Sequence, residues 1–173
     1  FIKKKFIIKR KTKLIDGTGI DLKFFKYKKN LIKKKINFLL ISRLLYSKGV
    51  LNYLESAAKV LKKFNDRCNF FLAGKIDKNL KDSIPLSIIK NYSNFSNIKI
   101  FYNVKNIKNL IKKSNCIILP TTYNEGLPRS LLEAASIGRP IITTNTPGCI
   151  RISKNNYNEL IYNKRRPQDL VKC

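Results

Sequence analysis

The chain has no histidine, no methionine and no tryptophan, and only 7 glycines and 10 acidic residues among 173. Without histidine, and with Cys68, Cys116, Cys149 and Cys173 too far apart to form a C-x-x-C pair, a zinc site has no ligand set, and no metal is expected. No apolar run approaches the roughly 18–20 residues a membrane-spanning helix requires, so no such helix is expected. The start, Phe1-Ile-Lys-Lys-Lys, is basic but leads into neither an apolar core nor a small-residue cleavage site, so it does not read as a secretory signal. Methionine is missing even from position 1, and the chain is expected to be an excerpt of something longer. The cysteines are expected to be small buried thiols in a reducing cytoplasm, with Cys68 and Cys116 on predicted strands.

What is present is apolar and basic. Apolar residues make up 43% and aromatics 10%, which suffices for a buried core and excludes wholesale disorder. The length fits one domain. The net charge is +27, from 37 Lys and Arg, of which 29 are Lys and 8 are Arg. Such a charge fits nucleic acid or an anionic membrane as partner. Yet Lys, Ile and Asn alone supply 72 residues and Ala only 5. Those three amino acids share A/T-rich codons, so coding bias yields the same profile. Nucleic-acid readers also lean on Arg, whose planar fork suits phosphate and guanine edges.

Ile36 to Ser42, Cys68 to Gly74 and Asn115 to Leu119 are short, nearly continuous apolar runs, the pattern of strands covered on both faces. Ile98–Phe101, Pro140–Thr144 and a weaker Glu159–Tyr162 complete the predicted strands. Between them, Val50 to Phe64 places Val50, Leu51, Leu54, Ala57, Ala58 and Leu61 on one helical face. Further helices are predicted near 79–91, over Val104–Ile111, and over Pro128–Ile137 with Pro in the first position. This alternation predicts an α/β fold, a Rossmann-like doubly wound parallel sheet. Such sheets bind ligands beyond the carboxyl ends of their strands, which directs attention to the loops after Ser42, Ala73, Phe101, Leu119 and Thr144. Gly17, Gly19, Gly49, Gly74, Gly126 and Gly148 all fall at predicted turns or strand ends.

Two of those loops carry chemistry. After Leu119 runs Pro120-Thr-Thr-Tyr-Asn-Glu125-Gly-Leu-Pro128-Arg-Ser-Leu-Leu-Glu133. Gly126 and Leu127 would sit at a helix mouth whose unpaired amides and positive dipole end suit an anion. Glu125 beside that mouth suits sugar hydroxyls rather than phosphate, and Glu133 is within reach of a second polyol such as ribose. Acids near a helix start can also merely offset the dipole. After Ser42, Arg43 and Lys48 could clamp two phosphates, Arg bidentately and Lys as a point charge.

Ile41-Ser-Arg43-Leu-Leu-Tyr-Ser-Lys48-Gly49-Val50, and Glu125 seven residues ahead of Glu133, resemble retaining glycosyltransferases of the GT-B fold with the E-x7-E motif, the glycosyl transferases of group 1 or family 4. Asp16-Gly-Thr-Gly-Ile-Asp21-Leu resembles the family's segment between its two lobes, and Thr143–Cys149 the loop ahead of its last strands. The resemblance implies that this chain is the C-terminal, donor-binding lobe, with residues 1–35 as interlobe segment and first strand edge, residues 36–173 as the nucleotide-sugar-binding domain, and the N-terminal acceptor lobe absent. It implies catalytic roles for Arg43, Lys48 and Glu125. The first two would bind the donor diphosphate without a metal, and Glu125 would contact the transferred sugar. Gly126, Leu127 and Pro128 would face the donor, and Glu133 would hold the ribose hydroxyls. Base recognition would run through backbone after Phe101. No cofactor is implied beyond a UDP- or GDP-sugar as donor substrate. The sequence departs from the family where Gly74-Lys-Ile-Asp77 keeps one glycine of a Gly-x-Gly, where Ile150-Arg151 stands for a frequent Arg-Glu, and where Asn155–Leu160 replaces an Asp-Gly-x-x-Gly turn.

The resulting expectation is a hexosyl- or N-acetylhexosaminyl-transferase lobe in bacterial surface polysaccharide or lipid-linked glycan assembly, cytoplasmic, with peripheral contact to the inner face of an anionic membrane and no nucleic-acid partner. The rival is a basic nucleic-acid-binding α/β domain, for which Phe24-Phe25-Lys-Tyr27-Lys-Lys is the one cluster of interleaved aromatics and cations. A decayed gene fragment is a third reading, opposed by the intact Arg43, Lys48, Glu125 and Glu133.

Overall fold

A computed structural model of the chain describes residues 13, 15, 17–31, 34–64, 67–77, 79–152, 159–164 and 166–173. Expectations resting on the basic start, on Asp16 or on residues 153–158 lie outside these.

The strands are β1 (Ile36–Ile41), β2 (Cys68–Gly74), β3 (Ile98–Tyr102), β4 (Cys116–Leu119), β5 (Ile141–Thr144) and β6 (Glu159–Tyr162). The helices are α1 (Val50–Phe64), α2 (Leu86–Asn91), α3 (Ile107–Lys113), α4 (Arg129–Ile137) and the short α5 (Pro147–Ile150). The sheet runs β3-β2-β1-β4-β5-β6, and every pair is parallel. This is the doubly wound, Rossmann-like arrangement. Alternate strand residues feed two cores. Leu40, Leu72, Ile118 and Ile142 pack with α1 and α2, while Leu39, Ala73, Ile117 and Ile141 pack with α3 and α4. Both faces are therefore covered, which is why the central strands read as nearly continuous apolar runs.

Three predicted helices begin elsewhere. The stretch near 79–91 is helical only from Leu86, because Pro85 holds an extended backbone (ψ 138°) just before it. Residues 80–84 instead form turns that hydrogen-bond to the β1 loop, with Ile84 N–H donating to Leu44 O at 3.0 Å. The helix expected from Val104 begins at Ile107, where the Asn106 side chain caps the Asn109 N–H. Pro128 stands just outside α4 (ψ 116°), and its carbonyl accepts the N–H groups of Leu131 and Leu132. The helix α5 and a 3-10 turn over Pro167–Val171 left no mark in the apolar spacing.

At the amino end of the sheet, α4 ends at Gly138 and Arg139 follows, 2% exposed. Its guanidinium donates to the carbonyls of Ile111, Lys112 and Lys28 at 2.9–3.2 Å. It thereby closes the end of α3 and holds the segment before the sheet. Ser136 Oγ donates to Phe25 O and Lys28 N–H to Ile137 O along the same seam. Of the aromatics in the nucleic-acid reading, Phe25 belongs to the core, while Phe24, with Lys108 Nζ 3.8 Å from its ring centroid, and Tyr27 are exposed. Cys68, Cys116 and Cys149 are buried and Cys173 is exposed, all as free thiols. No helix among the described residues is long and apolar enough to cross a membrane.

Candidate functional site

In this strand order the chain winds one way from β1 to β3 and the other way from β4 to β6. The switch lies between β1 and β4, and ligands of open α/β sheets bind beyond the carboxyl ends of strands at such a point. A cavity of about 250 Å³ opens there, lined by Arg43, Lys48, Glu125, Pro128, Arg129 and Ser130 among others. A second, of about 360 Å³, shares Ile41, Ser42 and Arg43 and runs past Gly74 to Asn103 and Val104. The two form one cleft over β1, β2 and β4, and the sequence-predicted Arg43, Lys48, Glu125 and Pro128 all border it. A further cavity of about 350 Å³ lies against α1 and the Pro167–Val171 turn and is lined mainly by apolar groups such as Phe38, Phe70 and Leu170.

The cations sit where β1 ends. Arg43 is half exposed, with Nη1 3.8 Å from an Asp77 oxygen. Lys48 closes a single 3-10 turn, Tyr46–Lys48, that ends at Gly49 in the left-handed region (φ 70°). A Cβ at Gly49 would lie 1.9 Å from Pro120 O, so the β1 and β4 loops meet there only because that residue is glycine. Lys48 Nζ donates to Glu125 Oε1, and Thr121 Oγ1 is 3.2 Å from the same oxygen. The Lys48 and Glu125 side chains retain 16% and 14% of their exposure, so their pairing is less screened than a surface ion pair. The cations expected as bare phosphate clamps are each matched by a carboxylate.

Glu125 and Gly126 are backed by α5. A Cβ on Gly148 would lie 1.3 Å from Gly126 O and 2.5 Å from Glu125 O, so this crossing admits no side chain. Gly126 is exposed with open space around it, Leu127 is half-buried, and Pro128 is buried. The N–H groups of Arg129 and Ser130 take no carbonyl partner among the described residues, leaving the mouth of α4 open toward the cleft. Glu133 lies deeper on α4. Arg129 Nε donates to its Oε1 at 3.0 Å. Burial pushes the Glu133 carboxyl above its ordinary range, and the Arg129 hydrogen bond and charge pull it partly back. Glu133 thus reaches the cleft through Arg129 rather than lining the cavity itself.

Sequence reasoning missed Arg129, a third cation on the cleft, and Asp77, which pairs with Arg43 from the segment where one family glycine is lacking. It also missed Ser47, Asp82 and Thr121, which hold the Lys48 turn in place. Chemically, the cleft offers three cations, an open helix N-terminus and the half-buried Glu125 carboxylate. That set suits a ligand with adjacent phosphates and hydroxyls.

The profile of a family described as Glycosyl transferases group 1 matches residues 23–172. The chain is 30% identical over 169 residues to N,N'-diacetylbacillosaminyl-diphospho-undecaprenol alpha-1,3-N-acetylgalactosaminyltransferase of Campylobacter jejuni, covering 91% of this chain and 42% of that protein. Among solved structures, a glycosyltransferase from Rickettsia africae superposes with a TM-score of 0.75 at 20% identity, covering 92% of this chain and 45% of the other. HepE of Anabaena in complex with UDP-glucose superposes with a TM-score of 0.73 at 17% identity, covering 89% and 44%. The chain spans less than half the length of these proteins.

Proposed function

Because the chain belongs to the glycosyl transferases group 1 family, we propose that it is the donor-binding lobe of a retaining glycosyltransferase. Its cleft takes a nucleoside diphosphate-sugar, and a hexose or N-acetylhexosamine passes to a glycan or lipid-linked acceptor held by another part of the protein. The observation that carries this reading is the meeting of Arg43, Lys48 and the open start of α4 in one cleft at the switch point, with Glu125 beside them.

Arg43 and Lys48 take the diphosphate, with the first amides of α4 directed at the same charge. Glycosyl transfer leaves a nucleoside diphosphate carrying new negative charge, and fixed donors already aimed at it stabilise that charge without rearranging. Lys48 has three N–H donors. One goes to Glu125, and the others remain for a phosphate oxygen. Glu125, held by Lys48 and Thr121, accepts hydroxyls of the transferred sugar. Glu133 accepts the ribose hydroxyls once Arg129 swings toward phosphate. The cavity that runs to Asn103 receives the base. These cations supply charge that a divalent ion could otherwise supply, so chelation by EDTA should leave nucleotide binding unchanged.

Support for UDP as the nucleotide comes from HepE, which holds UDP-glucose on a similar fold. Support for a lipid-linked acceptor comes from the Campylobacter relative, whose name specifies a diphospho-undecaprenol substrate. Such an acceptor would bring the chain to the cytoplasmic face of a membrane. There each surface lysine would add about 1 kcal/mol of attraction to anionic headgroups.

Thermal unfolding tests the proposal, with UDP, GDP and their sugar conjugates at millimolar concentration and with Glu133→Ala as control. A site filled at about 100 times its Kd adds about 2.7 kcal/mol, a shift of several degrees. A shift with one nucleotide family that shrinks in Glu133→Ala is the expected result. Stabilisation by a duplex oligonucleotide alone, fading steeply with salt, would overturn it.

A further inference from the structure

The Lys48 turn has only three residues, and an isolated 3-10 turn of that length has little stability of its own. It is held from both sides through Ser47. On one side Asp82, 35 residues further along the chain, accepts the Ser47 N–H at 3.1 Å and the Ser47 hydroxyl on the same carboxylate oxygen, Oδ2. The Asp82 carbonyl also accepts the Tyr46 N–H at 3.0 Å. On the other side the Ser47 carbonyl accepts the N–H groups of Thr122 at 2.9 Å and Tyr123 at 3.3 Å. It also accepts the hydroxyls of Thr121 at 3.1 Å and Thr122 at 3.3 Å. Thr121 in turn reaches Glu125. A chain of hydrogen bonds therefore runs from Asp82 through Ser47 to the loop that carries Glu125, and Lys48 is the next residue after the hub. Asp82 itself borders neither cleft cavity.

We infer that Asp82 is a positioning residue: by fixing both main-chain and side-chain donors of Ser47 it sets the reach of Lys48 toward Glu125 and the donor diphosphate. The inference rests on the donor-lobe reading for its consequence, but not for its geometry. The fold needs a connection after β2; it does not need a carboxylate aimed at Ser47. A buried or half-buried acceptor that takes two donors at once holds them in one arrangement, and its removal frees both.

The test is competitive acetylation of lysines in the full chain, read residue by residue by mass spectrometry, alongside UDP titration. Asp82→Ala should raise Lys48 acetylation about threefold or more while Lys59 and Lys62 stay at parent levels, and should weaken UDP binding roughly tenfold. Asp82→Asn should restore both readouts, because an amide oxygen can take the same two Ser47 donors. Ser47→Ala, which keeps the N–H and carbonyl and loses only the hydroxyl, should give a smaller rise of the same sign, and this holds the test open if Asp82→Ala does not fold. Unchanged Lys48 acetylation, an equal rise at all three lysines, or an Asn variant as impaired as the Ala variant would each overturn the inference. The parent's own UDP binding judges the donor-lobe reading separately, since acetylation is measured without nucleotide.

Discussion

The two ends of this sheet both pair cations with oxygen acceptors, a buried one at the amino end and more exposed ones at the carboxyl end, and they satisfy them in opposite ways. At the amino end, Arg139 is matched by three backbone carbonyls, which belong to the end of α3 and to the segment before β1. At the carboxyl end, Arg43, Lys48 and Arg129 are matched by the side chains of Asp77, Glu125 and Glu133. A main-chain carbonyl at a helix end cannot be traded for another partner without opening the fold. A side-chain carboxylate can rotate away and leave its cation to an arriving phosphate. The same chemistry therefore serves stability at one end and binding at the other.

The comparison breaks most visibly at Arg139. Arg139→Ala takes the donor from the Lys28 and Lys112 carbonyls, and one of two donors from the Ile111 carbonyl, in a buried site; it should cost about 3 kcal/mol, lowering Tm by roughly 6–12 °C in thermal unfolding. UDP affinity measured below that temperature should be unchanged. Lys48→Ala should do the reverse, weakening UDP binding roughly tenfold in calorimetric titration while Tm moves by only about 1–2 °C. If both variants lose stability and binding in parallel, the division between the two ends fails.

Arg129 sharpens the contrast through pH. Burial raises the Glu133 carboxyl in the folded chain above its unfolded value, so the folded state holds an extra proton between the two. Stability from this group is therefore highest at low pH and falls as pH rises through that window. Arg129→Ala removes the partner that pulls the carboxyl back down, and should move the Glu133 titration upward and widen the window. Carboxyl-carbon NMR reads the shift directly. The smallest effect concerns thiols. Cys173 should react first with a disulfide reagent, whereas Cys116, pushed up to about 12 by burial, should react only on unfolding.

Much of this was legible before any coordinates. The strands around Leu39, Leu72 and Ile118 announce themselves because both faces are covered, so they are apolar save for Asn37 and Asn69 near the starts of β1 and β2. Helix starts were less legible. Asn106 and Pro85 act through local backbone and side-chain bonds that override the apolar spacing beside them. In the cleft, Arg43, Lys48, Glu125 and Glu133 stand out by motif and by position after buried strands. Ser47 and Asp82 do not, because a bond across 35 residues leaves no period in the sequence. Gly138 is the glycine not placed at a turn in advance, yet it ends α4 in the left-handed region (φ 79°).

The most direct test of the account is an amide NMR titration of the chain with UDP. The account predicts shifts concentrated at residues 41–49, 101–104 and 125–130, with the amino-end residues 28–31, 111–115 and 139 unmoved. Shifts centred on that amino end, or scattered over surface lysines wherever they lie, would contradict it.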